Sequence, residues 1–215
     1  MKYPRTYHLT FSPGCTNDDK KLEKNDYFLN TNLIVSEKLD GSNLCFTKND
    51  CFARSHGSSP KHKSFDLAKS YHSQIGSQIP DNLFIFMEYT FAKHSIYYNS
   101  LDSYFHVFAI YNELTNNWLS WEDVKNISVN LGLITVPVLY EGKLSTEKSL
   151  IELSSNFMRQ KSVYGQEIEG LVFSTTNEFS NDDFWKNKAK IVRANHVQTS
   201  EHWKDQVIIK NKLLS

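Results

Sequence analysis

Apolar and polar positions along the chain follow two periods, and the switches between them outline the elements. Leu33 to Val35, Asn43 to Thr47 and Cys51 to Arg54 are short runs of strand-forming residues. The first two flank the polar turn Asp40-Gly41-Ser42, and the three together predict an antiparallel meander. Between Ser64 and Ile79, Phe65, Ala68, Tyr71, Ile75 and Ile79 recur near helical spacing and Pro80 ends the run, which predicts a helix. Leu83 to Phe91 and Tyr104 to Tyr111 are aromatic and β-branched, as central strands are. Ser120, with Asp123 three residues on, caps a helix carrying Trp121, Val124, Ile127 and Leu131 and closed by Gly132. Thr146 to Gln160 predicts another, with Leu150, Leu153 and Phe157 on one face; Ile168 to Ser174 and Ala189 to Val192 read as short strands, and Thr199 to Ile209 as a terminal helix.

Strands grouped in hairpins with helices between the groups predict an α+β fold and not a doubly wound parallel sheet. There is no G-x-G-x-x-G and no glycine loop ending in Lys-Ser or Lys-Thr, so a nucleotide would be bound in another way. No repeat or low-complexity linker divides the 215 residues, and one domain over residues 1–215 is expected. A hydrophobic fraction of 40%, with 14 Phe, 11 Tyr and 4 Trp, excludes a disordered chain, and no run is apolar enough to span a bilayer. Met1-Lys2-Tyr3-Pro4-Arg5 leads into polar residues and not into a secretory apolar region, which points to the cytoplasm. Cys15, Cys45 and Cys51 contain no C-x-x-C pair, and reduced thiols without a structural zinc are expected. His196 and His202 lack zinc-site spacing.

Charge narrows the picture further. With 24 basic and 24 acidic side chains the net charge is zero, so any polyanion site must be local. Two basic clusters are available: Arg54, His56, Lys61, His62 and Lys63, and then Lys186, Lys188, Lys190 and Arg193.

The stretch Ser36-Glu37-Lys38-Leu39-Asp40-Gly41-Ser42-Asn43 sets a lysine where an apolar strand gives way to a glycine turn. A lysine has an ordinary pKa of about 10.4 and must lose its proton to attack, which partial burial and neighbouring charges can tune. Alone, K-x-D-G is equally the chemistry of a surface hairpin. Likewise Glu88 could be a strand-end charge, Phe108 a core aromatic, Glu169-Gly170 a turn, and Lys188 and Lys190, at strand period, a solvated face.

The order of these elements changes the weighing. Lys38-Leu39-Asp40-Gly41 resembles the nucleotidyl-accepting motif of the covalent nucleotidyltransferases, the superfamily of ATP-dependent DNA ligases, RNA ligases and capping enzymes. Phe52-Ala53-Arg54-Ser55, Phe86-Met87-Glu88-Tyr89, Phe105-His106-Val107-Phe108-Ala109-Ile110, Glu169-Gly170-Leu171-Val172 and Lys188-Ala189-Lys190 are similar to the motifs that follow it, in the same order. The resemblance implies Lys38 as nucleophile, Arg54 on the ribose and the RNA end, Glu88 on the ribose, Phe108 stacked on adenine and Glu169 serving a metal. It further implies Lys188 and Lys190 on the phosphates, with Glu37 and Asp40 among the ATP or AMP contacts. Ala109, where an acidic residue often follows the aromatic, and Met87, where glycine often precedes the glutamate, depart from the pattern.

Only 25 residues follow Lys190, too few for the OB domain of DNA ligases and capping enzymes. Asn43 matches the K-x-D-G-S-N form common in phage-type RNA ligases. Ala92 to Ile96 and Val192 to Trp203 resemble stretches of small bacterial and phage RNA ligases. The expectation is an α+β, antiparallel-sheet nucleotidyltransferase (adenylation) domain of the ATP-grasp-like ligase and capping-enzyme type, without an OB domain. It would use ATP and Mg2+ or Mn2+ to seal RNA bearing 5′-phosphate and 3′-hydroxyl ends, with Asn43, Arg54, Lys61 and Lys63 holding the RNA end. An accessory chain or an oligomer stays open. The alternatives are a minimal ATP-dependent DNA ligase, a capping-type guanylyltransferase, and an end-binding module without chemistry.

Overall fold

The run Leu33-Ile34-Val35-Ser36-Glu37-Lys38 has two unlike faces, and that alternation sets the architecture. The computed structural model describes residues 1–54, 60–194 and 208–214. Its strands are β1 (Tyr7–His8), β2 (Leu33–Lys38), β3 (Ser42–Phe46), β4 (Cys51–Ala53), β5 (Leu83–Tyr89), β6 (Phe105–Asn112), β7 (Asn117–Trp118), β8 (Ile134–Thr135), β9 (Val138–Gly142), β10 (Gly170–Thr175), β11 (Phe179–Ser180) and β12 (Lys188–Val192). The α-helices are α1 (Asp66–Ile75), α2 (Trp121–Asn130), α3 (Glu147–Met158) and α4 (Phe184–Asn187).

One sheet has the order β1-β12-β10-β2-β9 and the other β11-β7-β6-β5-β3-β4, with β8 beside β6. Pairing is antiparallel except for β1 with β12 and β6 with β8, and neither sheet closes into a barrel among the described residues. The fold is therefore α+β with antiparallel sheets, as the element pattern implies.

Leu33, Val35, Leu171, Phe173, Ala189 and Ile191 turn one face of the first sheet to a core shared with Phe28, Leu144 and Leu150 of α3. The other face, with Ile34, Ser36 and Lys38 on β2, Val172 and Ser174 on β10, and Lys188 on β12, lines a cavity together with residues of the second sheet. Leu44, Phe46, Ile85, Met87, Val107 and Ile110 of that second sheet pack against Phe65, Ala68 and Ile75 near and on α1 and against Trp121 and Val124 of α2. The helix caps behave as their sequences imply: Ser120 accepts from the Asp123 N–H at 3.2 Å, and Thr146 forms a capping box with Ser149.

The meander is corrected. β3 and β4 pair, but β2 belongs to the first sheet and β3 to the second, so Lys38-Leu39-Asp40-Gly41 is a crossing between sheets and not the tip of a hairpin. Strand propensity marks where strands lie but not which partner their N–H groups choose, and the buried Leu39 shows that the link runs through the interior. The helix expected over 64–79 is α1 with short 3-10 turns at both ends. Of the expected terminal helix, residues 199–207 lie outside the described residues, and Ile208 and Ile209 are not helical. His56, His196 and His202 also lie outside them. Cys15, Cys45 and Cys51 are free thiols, and burial pushes the Cys51 thiol up to about 12. Among the described residues no helix is long and apolar enough to cross a membrane.

Candidate active site

Lys38 ends β2 with its Nζ donating to both carboxylate oxygens of Glu169, at 2.8 and 2.7 Å. The register explains the meeting, because Gly170 pairs with Lys38 and puts the preceding glutamate beside the lysine. Gly170 must be glycine: a Cβ there would run into the carbonyl oxygen of Ile191 on β12.

The turn after Lys38 is held from several sides. The Asp40 N–H donates to the Tyr98 hydroxyl at 2.8 Å, and Asp40 Oδ2 accepts from the N–H groups of Ser95 and Ile96, both at 2.7 Å. The Gly41 N–H donates to Glu88 Oε1 at 3.0 Å. A Cβ on Gly41 would come within 2.6 Å of the Tyr89 carbonyl oxygen, so this glycine lets the turn lie against β5. Asn43 and Glu88 are cross-strand partners, and Asn43 Oδ1 is buried without a hydrogen-bond partner among the described residues.

Phe108 owes its position to a β-bulge. The β5–β6 register passes from Phe86 opposite Ala109 to Met87 opposite Val107, leaving Phe108 as the extra residue. Such a bulge re-aims a side chain, and Phe108 lines the cavity between the sheets. Its carbonyl accepts from Lys188 Nζ at 3.5 Å, and Ser174 Oγ accepts from the same nitrogen at 2.8 Å.

These side chains surround two connected spaces that share Lys38, Asn43 and Glu88. The smaller, of about 120 Å³, is lined by Ile34, Glu37, Phe108, Val136, Val172 and Lys188 among others. The larger, of about 760 Å³, is open and polar, and Arg54 and Lys190 line it. Glu37 is buried, and its Oε2 accepts from the Val163 N–H at 2.9 Å. Lys61 and Lys63 are exposed and line neither space. The second basic cluster divides: Lys186 pairs with Asp183 and Arg193 with Glu167, while Lys188 and Lys190 remain with the cavities.

Electrostatics follow from crowding. Burial alone would push the Lys38 ammonium down, but the carboxylates of Glu169, Glu88 and Asp40 outweigh it and the pKa rises. Lys38 is thus protonated in the ligand-free site. Glu88 is pushed up to about 8, first by burial and then by Glu169 and Asp40, against the pull of Lys38 and the Gly41 N–H. Burial lowers Lys188 to about 8, because its partners are neutral. Lys190 is lowered by burial, with Asp19 Oδ1 at 3.6 Å opposing the shift. Burial would raise Asp19, but hydrogen bonds from Thr16 and the charges of Lys190 and His8 bring it to about 2. Ligand atoms of His8, Cys15 and Asp19 lie within 4.8 Å of one another, a set that suits a soft metal, yet Lys190 already engages the Asp19 carboxylate.

Glu88 carries a stability signature. Its folded-state value lies above the ordinary 4.5, so between pH 4.5 and 8 the native protein holds a proton that the unfolded chain has released. Stability therefore falls as pH rises through that window. Glu88→Gln should raise Tm more at pH 8 than at pH 5, by about 2–4 °C per kcal/mol relieved at this chain length. Thermal unfolding at the two pH values checks this, and an equal shift at both would remove the buried-charge account.

Sequence reasoning did not find Ser36, Ser174, Asp19 or Tyr98, nor the segment from Lys2 to Thr6 that also lines the cavities. Polar residues at period two within apolar strands, Ser36 before Lys38 and Ser174 after Val172, were the available signal.

Two antiparallel sheets with a lysine-bearing crossing between them make this a nucleotidyltransferase fold. The chain belongs to the RNA ligase family, whose profile matches residues 31–192. No curated protein matches the sequence at a significant level. Solved structures do. An archaeal ATP-dependent RNA ligase is 15% identical with a TM-score of 0.55, over 91% of this chain and 48% of that one. A Naegleria gruberi RNA ligase solved with ATP and Mn is 17% identical with a TM-score of 0.58, over 90% and 58%. A putative ATP-dependent DNA ligase from Aquifex aeolicus is 17% identical with a TM-score of 0.55, over 91% and 50%. The chain thus spans about half the length of the solved proteins it matches.

Proposed function

We propose that the protein is an ATP-dependent RNA ligase that joins 5′-phosphate and 3′-hydroxyl RNA ends through lysyl-AMP and RNA-adenylate intermediates. It would act in the cytoplasm as one nucleotidyltransferase domain over residues 1–215. The observation that carries this reading is Lys38 fixed by Glu169 at the mouth of a pocket that also holds Glu88, Phe108 and Lys188.

Lys38 Nζ would attack the α-phosphorus of ATP, forming an N–P bond as the bond to pyrophosphate breaks. Glu169 aims the amine, and Lys188 and Lys190 offset charge on the phosphates. Phe108 gives the base a flat partner, and Glu88 with Asn43 faces the sugar. Glu37 contributes wall to the nucleotide pocket, and Asp40 holds the turn through Ser95 and Ile96. Glu169 and Asp40 beside one ammonium leave an excess of negative charge that would suit a divalent cation, which as Mg2+ or Mn2+ would supply charge neutralisation at the phosphates and draw the proton from Glu88. Positive charge arriving beside these carboxylates also favours release of the Lys38 proton. AMP then passes to the 5′-phosphate, and the 3′-hydroxyl displaces it.

RNA is favoured over DNA by the family and by Asn43, whose buried Oδ1 is an acceptor suited to a ribose hydroxyl. Arg54, exposed at the rim of the larger space, is placed for the RNA end, and the exposed Lys61 and Lys63 would meet the strand farther out. The test is sealing of matched nicks and single strands with ribonucleotide or deoxyribonucleotide 3′ ends, with pre-adenylylated 5′ ends included to bypass the first two steps. Deoxyribonucleotide ends should be sealed at least tenfold more slowly. Equal sealing of both would shift the reading to a minimal DNA ligase, which the likeness to the Aquifex protein keeps as the second candidate.

A further inference from the structure

The segment before β1 has no place in the motif set, yet Lys2 to Thr6 line the larger cavity. Tyr3 anchors it. The Tyr3 ring meets those of Phe86, Phe108, Trp118 and Phe184 at centroid separations of 5.2, 5.0, 5.3 and 5.2 Å, the last three edge-on. Pro4 follows directly and restricts the backbone, so the cations on either side of this anchor are carried by a held stretch of chain.

The charge on this wall is unlike that of the catalytic lysines. Within the larger cavity Lys38 is neutralised by Glu169 and Lys190 by Asp19. Arg5 Nη1 donates to the main-chain carbonyl of Asp18 at 3.2 Å, and Lys20 Nζ donates to the Tyr7 hydroxyl at 3.2 Å while lying over the Tyr7 ring. Those partners are uncharged. Among the described residues no carboxylate lies within ion-pair distance of Lys2, Arg5, Lys20 or Arg54. A chain of zero net charge therefore gathers four cations without ion-pair partners around one cavity, and against the unpaired lining carboxylate of Asp18 their fields leave a net positive wall.

We propose that Lys2, Arg5 and Lys20 form a phosphate-binding wall for phosphates other than the one that reacts. The ligand chemistry is a chain of phosphate groups, supplied either by the pyrophosphate part of the nucleotide or by the strand behind a 5′-phosphate. That pair of sources rests on the nucleotidyl-transfer reading above, whereas the wall rests on the arrangement of charge.

The test uses the full chain with Lys2→Gln, Arg5→Gln and Lys20→Gln combined, three exposed side chains whose loss leaves the cores intact. Equilibrium binding of inorganic pyrophosphate and of a short 5′-phosphorylated single-stranded RNA is measured at several salt concentrations. At least one probe should bind tenfold or more weakly, and for RNA the salt slope should flatten by roughly 0.7 per lost contact. A loss for pyrophosphate alone assigns the wall to the nucleotide tail, and a loss for RNA alone assigns it to the strand. Unchanged affinity for both overturns the proposal, as does an equal loss when Lys69, Lys125 and Lys148 on the helices are neutralised instead. Neither probe requires catalysis, so a protein that takes up no AMP yet loses affinity in the variant would retain the wall and lose the transferase reading.

Discussion

Lys38→Ala is expected to take up no AMP when mixed with ATP and Mg2+ or Mn2+, whereas the unaltered protein should gain the mass of one AMP. The amine of Lys38 is the one locked onto Glu169 beside the pocket of Phe108 and Lys188, and no other side chain at that crossing can form the phosphoramidate. Lys38→Arg separates nucleophile from charge, because a guanidinium preserves the pairing with Glu169 but does not lose a proton at working pH. Intact-mass measurement of both variants decides the matter. Labelling that persists in Lys38→Ala would move the nucleophile elsewhere, with Lys188 the next to examine.

Lys188→Met is expected to do two opposite things. AMP uptake should fall on the order of 100- to 1,000-fold, the usual cost of removing one preorganised donor from a developing charge. The ligand-free protein should nevertheless melt higher at pH 7. Lys188 is buried with only Ser174 Oγ and the Phe108 carbonyl as partners, and its pKa falls from 10.5 to about 8. Between those values the unfolded chain holds a proton that the native protein has lost, so stability rises with pH across the window and the full cost of the buried charge is felt below it. Methionine removes that cost and keeps the apolar stem. Calorimetry with the adenylylation assay checks both, and a variant that is less stable as well as inactive would show only that the side chain was structural. Pyrophosphate should also raise the Tm of the unaltered protein more than that of the variant, since binding to the native state alone stabilises it.

Much of the site was legible because its chemistry is local in sequence. Lys38, Asp40 and Gly41 share one turn, Glu169 and Gly170 are adjacent, and Lys188 and Lys190 are two apart on one strand. Each group is short enough for order and spacing to reveal it. The strands carrying them were also visible, since Leu33-Ile34-Val35 and Leu171-Val172-Phe173 are apolar on both faces. What pairs with what was not visible. The two flanks of Gly41 look like a hairpin in one dimension, and only the close approach to Tyr89 and the buried Leu39 show the chain passing between sheets. β1, β7, β8 and β11 are two residues each, too short to show a period, and β9 is a partly exposed strand at the edge of its sheet. The Phe108 bulge is a matter of register, which composition does not encode. Lys2 and Arg5 are a sparse pair in sequence, and Lys20, fifteen residues on, joins them only in space.

The turn that presents Lys38 depends on residues far along the chain. Asp40 rests on the N–H groups of Ser95 and Ile96 and on the Tyr98 hydroxyl. That loop is itself stitched to residues 208–214: Lys93 donates to the Ile209 carbonyl, Asn211 to Phe91, Lys212 to Tyr98 and Leu214 to Leu101. The buried Asn211 side chain accepts from the Tyr98 N–H and donates to the Thr90 carbonyl. During synthesis, a nascent chain that has exposed residues 1–194 already carries every proposed catalytic side chain but lacks the strip that fixes the loop under Asp40. Docking of residues 208–214 onto that loop is therefore the event that completes the cradle of the proposed nucleophile, so that the turn is finished only after every proposed catalytic residue has been made.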